Sequence, residues 1–143
     1  MVGLCMKRIR RRFVPQLLKL RVARSRTGRG IFAEQDIPRG TCILEYIGRP
    51  LTHAQQLANK GKYYFWTGRN SMIDGNIPAN TARFINHSCV PNCEVDLKNR
   101  RIYIFAKRNI RKDEELNYDY GDGYFDMHLK PKGCLCSKCT RGL

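Results

Sequence analysis

The sequence predicts a mostly β domain with one or two short helices. Short apolar runs recur from Leu20 onward, turn signals separate them, and only one later stretch carries both a helix start and a helix stop signal. The turn signals are Gly28-Arg-Gly30, Pro38-Arg-Gly40, Gly48-Arg-Pro50, Asp74-Gly75 and Lys98-Asn99-Arg100. Between them, Thr41 to Ile47, Tyr63 to Thr67, Cys93 to Leu97 and Arg101 to Ala106 are the expected strands, the last two joined as a hairpin across Lys98-Asn99-Arg100. Thr52 to Lys60 is expected to be helical, opened by Thr52 as N-cap and closed near Gly61. Residues 1–19 read as a basic arm, partly helical at best, with Val14, Leu17, Leu18 and the adjoining Leu20 able to dock on something. No repeat is expected.

A chain of 143 residues has the size of one domain, and 42% hydrophobic residues are enough for a core. Charge is unevenly spread: 27 Lys and Arg oppose 12 Asp and Glu, a formal +15. From Met1 through Arg29 there are ten basic residues and no acid, an end attractive to polyanions and a possible nucleic-acid contact. Asp113, Glu114, Glu115, Asp119, Asp122 and Asp126 fall in a stretch without Lys or Arg and are expected to face a basic partner. Both runs also fit plain solvated surface.

The cysteine count is seven, an odd number, and no secretory signal is visible, so clustered cysteines read as metal ligands rather than as a disulfide framework. No stretch approaches the roughly 20 apolar residues of a membrane-spanning helix. The expectation is a soluble, intracellular monomer with no membrane contact.

Two segments carry candidate chemistry. Arg83-Phe-Ile-Asn-His-Ser-Cys-Val-Pro-Asn92 crowds Asn86, His87 and Ser88 behind an apolar pair, costly if buried without partners. Glu114-Glu-Leu-Asn-Tyr-Asp-Tyr-Gly121 sets Tyr118 and Tyr120 two residues apart, on one side of an extended chain. Taken singly, His87 is more often a satisfied structural histidine than a catalytic one, and a half-buried strand residue is a fair reading of either tyrosine. A third segment, Gly133-Cys-Leu-Cys-Ser-Lys-Cys-Thr-Arg-Gly142, presents three thiols within six positions, and tetrahedral zinc needs a fourth.

Together, Ser25-Arg-Thr-Gly-Arg-Gly-Ile-Phe-Ala33, Ile37-Pro-Arg-Gly40, Glu45-Tyr-Ile-Gly48, Arg83-Phe-Ile-Asn-His-Ser-Cys89 and Glu115-Leu-Asn-Tyr-Asp-Tyr-Gly121 occur in the order and approximate spacing of a known family. The chain resembles SET-domain protein-lysine N-methyltransferases from roughly Leu20 to Leu143. The resemblance implies a SET domain over 20–126 and a post-SET zinc-binding segment over 127–143. It also implies a pseudoknot in which the tyrosine segment passes beneath the Asn86-His87 loop.

By the same resemblance, Thr27, Gly28, Arg29, Asn86 and His87 would bind S-adenosylmethionine, with Arg29 or Arg83 on its carboxylate. Tyr120 would be the catalytic tyrosine that orients the acceptor amine, and Tyr46 and Tyr118 would wall the lysine channel. Tyr118 stands where the family carries Phe or Tyr, and its hydroxyl implies mono-methylation. Cys89, Cys134, Cys136 and Cys139 would bind Zn2+, with Cys93 a rival for the fourth place. The implied substrate is a basic protein, a histone or histone-like. The implied location is nuclear or on chromatin if the chain is eukaryotic or delivered to a host, and otherwise cytoplasmic. A catalytically silent chromatin or nucleic-acid binding module with the same fold would explain the charge, but not the whole set of Asn86, His87, Tyr46, Tyr118 and Tyr120.

Overall fold

The structure is a computed structural model that describes residues 11–121. Among them the elements run in the order β1 (Leu20–Ser25), β2 (Gly28–Ala33), β3 (Cys42–Tyr46), β4 (Arg49–Pro50), α1 (His53–Ala58), β5 (Tyr64–Gly68) and β6 (Ser71–Asp74). A 3-10 turn (Thr81–Phe84), β7 (Asn86–His87), β8 (Cys93–Lys98), β9 (Arg101–Ala106) and β10 (Asn117–Tyr118) follow. They form four small sheets: the β1–β2 hairpin, the three-stranded sheets β3-β9-β8 and β4-β6-β5, and a parallel pair of β7 with β10. The mostly β architecture expected from sequence is the one observed.

β-Branched residues build the centre. Ile31, Ile43, Ile85, Ile102, Ile104 and Ile110, with Leu116, are all essentially fully buried and pack as one cluster with Ala33, Tyr46 and Tyr118. The β8–β9 hairpin turns on Asn99 and Arg100, both at positive φ (51° and 61°). Helix α1 has Thr52 as N-cap in a reciprocal capping box with Gln55, but it ends earlier than expected. Asn59 takes the left-handed cap conformation (φ 42°) that stops the helix before Gly61. Gly28-Arg-Gly30 is not itself a turn: it opens β2, and Arg26-Thr27 makes the bend.

The loops after β2 and β9 grip each other. Ala33-Glu-Gln-Asp-Ile-Pro-Arg-Gly40 and Ala106-Lys-Arg-Asn-Ile-Arg-Lys-Asp113 are alike in sequence, and their hydrogen bonds are reciprocal. The Ile37 and Ile110 amides each donate to the other residue's carbonyl (2.7 and 2.8 Å). Gly40 N donates to Ala106 O (2.8 Å) and Asp113 N to Ala33 O (2.7 Å). Arg39 N donates to Asn109 Oδ1 (2.8 Å) and Lys112 N to Asp36 Oδ1 (2.9 Å). Gly40 (φ 86°) and Asp113 (φ 74°) hold the same left-handed corner in the two loops. This clasp is a local two-fold between two short segments, where no repeat is expected from the sequence pattern.

The later part of the expected arm lies on the body. Phe13 packs edge-on against Tyr103 (5.4 Å) and Phe105 (5.2 Å), sealing a second small core with Cys42. Gln16 N donates to Cys42 O (3.0 Å). The Arg11 guanidinium lies over the Phe105 ring (4.6 Å) and pairs with Glu94 and with Asp96 (3.1 Å) on β8. Residues 11–19 therefore run as a strap on the β3-β9-β8 sheet, and at least this arginine is spent within the chain. Residues 1–10 lie outside the described residues. No helix among the described residues is long and apolar enough to cross a membrane.

Candidate active site

The two chemistry-bearing segments meet. In the parallel β7–β10 pair Asn86 stands against Asn117 and His87 against Tyr118, and Ser88 N donates to Tyr118 O (3.1 Å). A ladder of two residues per strand cannot hold itself. Asn92, almost wholly buried, does the holding. Its Oδ1 accepts from Asn117 N (2.9 Å), its Nδ2 donates to Glu115 O (2.8 Å), and its own amide donates to Asn117 Oδ1 (2.9 Å).

The tail's tyrosines then fall among other rings. Tyr118 lies 4.8 Å from Tyr120 and 6.3 Å from Phe65 by ring centroids, and Phe65 lies 5.0 Å from Tyr46. Tyr46 is buried, and its hydroxyl donates to Tyr63 O (2.9 Å), a carbonyl that also accepts from Gly75 N (2.8 Å). Gly75 is required there, since a Cβ would run into the Tyr46 ring. The Tyr120 hydroxyl donates to Ile85 O, and its backbone amide donates to His87 Nδ1 (3.1 Å). An Nδ1 that accepts this bond leaves the imidazole proton on Nε2, which faces Cys89 Sγ at 3.2 Å. Burial pushes the His87 pKa down, against the opposing pull of Asp119 (3.8 Å), in keeping with a neutral ring.

At the other side of Asn86 lies the β1–β2 hairpin. Asn86 Nδ2 is within reach of Ser25 Oγ (3.0 Å), Arg29 O (3.0 Å) and Glu115 Oε2 (3.3 Å), so one amide ties hairpin to tail. Thr27 and Gly28 are exposed at the hairpin tip, and Gly28 has a φ of 116°. Gly30 is the glycine under close approach: a Cβ there would sit 3.0 Å from the Glu115 carboxylate. Val22, Ala23, Arg24, Gly28 and Arg29 line an open cleft of about 570 Å³. The two candidate arginines separate. Arg83 Nη1 donates to the carbonyls of Ile77 (2.6 Å) and Asn80 (3.0 Å), so it braces a loop, whereas Arg29 lines the cleft.

Of the four expected zinc ligands, Cys89 is half-buried beside His87, and Cys134, Cys136 and Cys139 lie outside the described residues. Among the described residues no group of three metal-ligating side chains gathers. Cys93 is closed to a metal: it is fully buried in the core, where desolvation pushes its thiol up to about 12. The first half of the acidic stretch is also spoken for. Asp113 pairs with Arg21 (3.5 Å), Glu114 with Arg108 (3.0 Å), and Glu115 reaches Asn86, while the exposed Asp119 lies 3.8 Å from His87. Asp122 and Asp126 lie outside the described residues.

Asn92 and Asn117 were not singled out from sequence, and Gly75 was read only as part of a turn. Asn92 stood at the end of the Arg83 to Asn92 segment, and a polar residue wedged between apolar strand starts is the one signal that pointed to it.

A SET domain model matches residues 28–121, a span that begins at the hairpin tip and ends just past Tyr120. This chain belongs to the SET domain family. It is similar to histone-lysine N-methyltransferase trr of Drosophila melanogaster, 38% identical over 135 residues, covering 84% of this chain and 6% of the relative. It is also similar to human histone-lysine N-methyltransferase 2D (36% over 136 residues; 84% of this chain, 2% of the relative). A third relative is mouse histone-lysine N-methyltransferase EHMT1 (33% over 153 residues; 94% and 12%). The chain thus spans only a small part of the length of these relatives.

Proposed function

We propose that this chain is a protein-lysine N-methyltransferase acting on a basic protein, a histone or histone-like. The observation that carries the proposal is the parallel β7–β10 pair, which brings Asn86 and His87 beside Tyr118 and Tyr120. The SET family membership and the histone-lysine methyltransferases among the relatives support it.

The residues fit S-adenosylmethionine as methyl donor. Exposed Thr27 and Gly28, Arg29 on an open cleft, and the Asn86-His87 backbone between hairpin and tail would hold it. When bound, the group supplies an electrophilic methyl. The chain's own part is positioning. Because the Tyr120 proton is directed at Ile85 O, the hydroxyl oxygen turns lone pairs outward and can accept from the acceptor amine, orienting it for in-line attack. Tyr46 acts one step back: its bond to Tyr63 O fixes the Tyr63–Tyr64 segment and the Phe65 ring beneath Tyr118. The Tyr118 hydroxyl would limit the product to mono-methyl-lysine. Zn2+ on Cys89, Cys134, Cys136 and Cys139 would pin the C-terminal segment near His87. This set has three cysteines within six positions and one half-buried thiol to make the fourth ligand.

The test is incubation with labelled S-adenosylmethionine and a panel of histones and other basic proteins, with Tyr120→Phe as control. Transfer to a lysine that the substitution abolishes is the expected result. No transfer by a folded, zinc-loaded chain to any basic protein would leave a binding module instead.

A further inference from the structure

Glu115 stands apart from the other glutamates. Of the five in the chain, Glu34, Glu45, Glu94 and Glu114 each pair with an arginine, whereas Glu115 pairs with no cation among the described residues, although the chain carries +15. Its backbone is fixed from two sides. It bridges to Phe32 of β2, flanked by Ala33 N donating to Glu114 O (2.9 Å) and Leu116 N donating to Ile31 O (2.8 Å), and its own carbonyl accepts from Asn92 Nδ2 (2.8 Å). The half-buried side chain lies over Gly30, where a Cβ would come within 3.0 Å of the carboxylate, and Oε2 accepts from Asn86 Nδ2 (3.3 Å).

That contact decides which way the Asn86 carboxamide points. Around Nδ2 stand Ser25 Oγ, Arg29 O and the Glu115 carboxylate. A serine hydroxyl can donate or accept, but a carbonyl and a carboxylate only accept, so these two require the NH2 group on their side and turn Oδ1 the other way. Oδ1 takes no hydrogen bond among the described residues, and no buried side-chain oxygen or nitrogen among them lacks a partner, so Oδ1 is open to solvent. It is an acceptor held ready for an outside donor. Asn86 is also bonded to the backbone of Arg29, whose residue lines the cleft. An acceptor for an ammonium and a cation for a carboxylate therefore stand on two residues in contact, as two charged groups on one α-carbon require.

We propose that Glu115 is a positioning residue: it holds the Asn86 carboxamide with Oδ1 presented to the α-ammonium of the methyl donor, and so selects for the donor's intact amino-acid end. This rests on the donor site proposed above. Glu115 acts through Asn86 and not by contact with the donor.

The experiment is isothermal titration calorimetry of the full chain with two ligands, neither of which can donate a methyl. One is S-adenosylhomocysteine; the other is its desamino analogue, which keeps adenosine, thioether and carboxylate but lacks the ammonium. Glu115→Ala should weaken binding of S-adenosylhomocysteine about fivefold, less than a whole hydrogen bond to a charged group because Arg29 O still favours the same amide orientation. Binding of the desamino analogue should not change. In an Asn86→Ala background the Glu115 substitution should have no further effect, since residues that act as a unit are not additive. Should Glu115→Ala misfold by circular dichroism, Glu115→Asp, which draws the carboxylate back by one methylene, should show the same selective loss. The proposal is overturned if S-adenosylhomocysteine binds the Glu115 variant unchanged, or if both ligands weaken equally, as they would for a merely structural residue. It is overturned too if the loss persists without Asn86, as it would for a charge felt directly by the ligand. No binding of S-adenosylhomocysteine by the folded, unaltered chain would instead remove the donor site and this inference with it, so the two failures read differently.

Discussion

Asn92→Ala tests whether the crossing of β7 and β10 is held as described. The substitution removes the acceptor for Asn117 N and the donor to Glu115 O, while the Asn92 amide keeps its bond to Asn117 Oδ1. Asn92 is 2% exposed, so bulk water does not replace the lost partners. Each stranded buried backbone group costs about 1–3 kcal/mol, and a water admitted by the small cavity recovers part of this. A loss of about 3 kcal/mol follows, or roughly 10 °C in Tm for a domain of this size. Thermal and urea unfolding measure the loss, and hydrogen exchange locates it, because the Asn117 amide should lose protection first. In a double-mutant cycle with Asn117→Ala, the two residues should couple by about 1 kcal/mol. A Tm within 2 °C of the unaltered chain, or an Asn117 amide that stays protected, would show that something else holds the tail against Asn86 and His87.

Phe13→Ala should cost about 2 kcal/mol in urea unfolding, half of a fully buried ring, because it opens the Cys42, Tyr103 and Phe105 cluster; a strap that merely lies on the surface would cost almost nothing. Gly40→Ala should destabilise by about 1 kcal/mol while Asp113→Gly is neutral or stabilising. The two left-handed corners are equivalent, and only the second now carries a Cβ; like-signed effects would contradict the local two-fold. In the chain stripped of metal by a chelator, iodoacetamide at pH 8 should alkylate Cys89 but spare Cys42 and Cys93, whose thiols burial pushes up to about 11 and about 12, as read by peptide mass spectrometry; modification of folded Cys93 would refute its burial. Tyr118→Phe should add di- and tri-methyl-lysine to the product in the same spectrometric assay, and an unchanged product distribution would remove Tyr118 from product control.

Local chemistry was legible. Thr52 followed by Gln55 marks a capped helix start, and Lys98-Asn99-Arg100 between two β-branched runs marks a hairpin; both signals act within a few residues of chain. The ordered motifs marked which segments belong to the site. What residues 86–87 and 117–118 do with each other was not visible in their own pattern, because two residues have no periodicity and the members of each partner pair stand 31 positions apart. Their parallel pairing is decided by Asn92, whose three hydrogen bonds exist only once β8 has packed. The helix end was misjudged for a related reason: Asn59 can adopt the left-handed cap as Gly61 can, and which residue does so depends on where the chain must turn next.

Charge shows the same division. Composition determined that the chain is strongly basic, and residue order that half of its 12 acids fall between 113 and 126. It did not determine which charges remain available. Arg11 finds Glu94 and Asp96, Arg21 finds Asp113, and Arg108 finds Glu114. Whether a charge is spent depends on distances across the fold, since Coulomb attraction between side chains is worth little beyond a few ångströms of water. The amino-acid order specified strands, turns and a family; only packing specified which asparagine ties the knot, which tyrosine hydroxyls are committed, and which charges are paired.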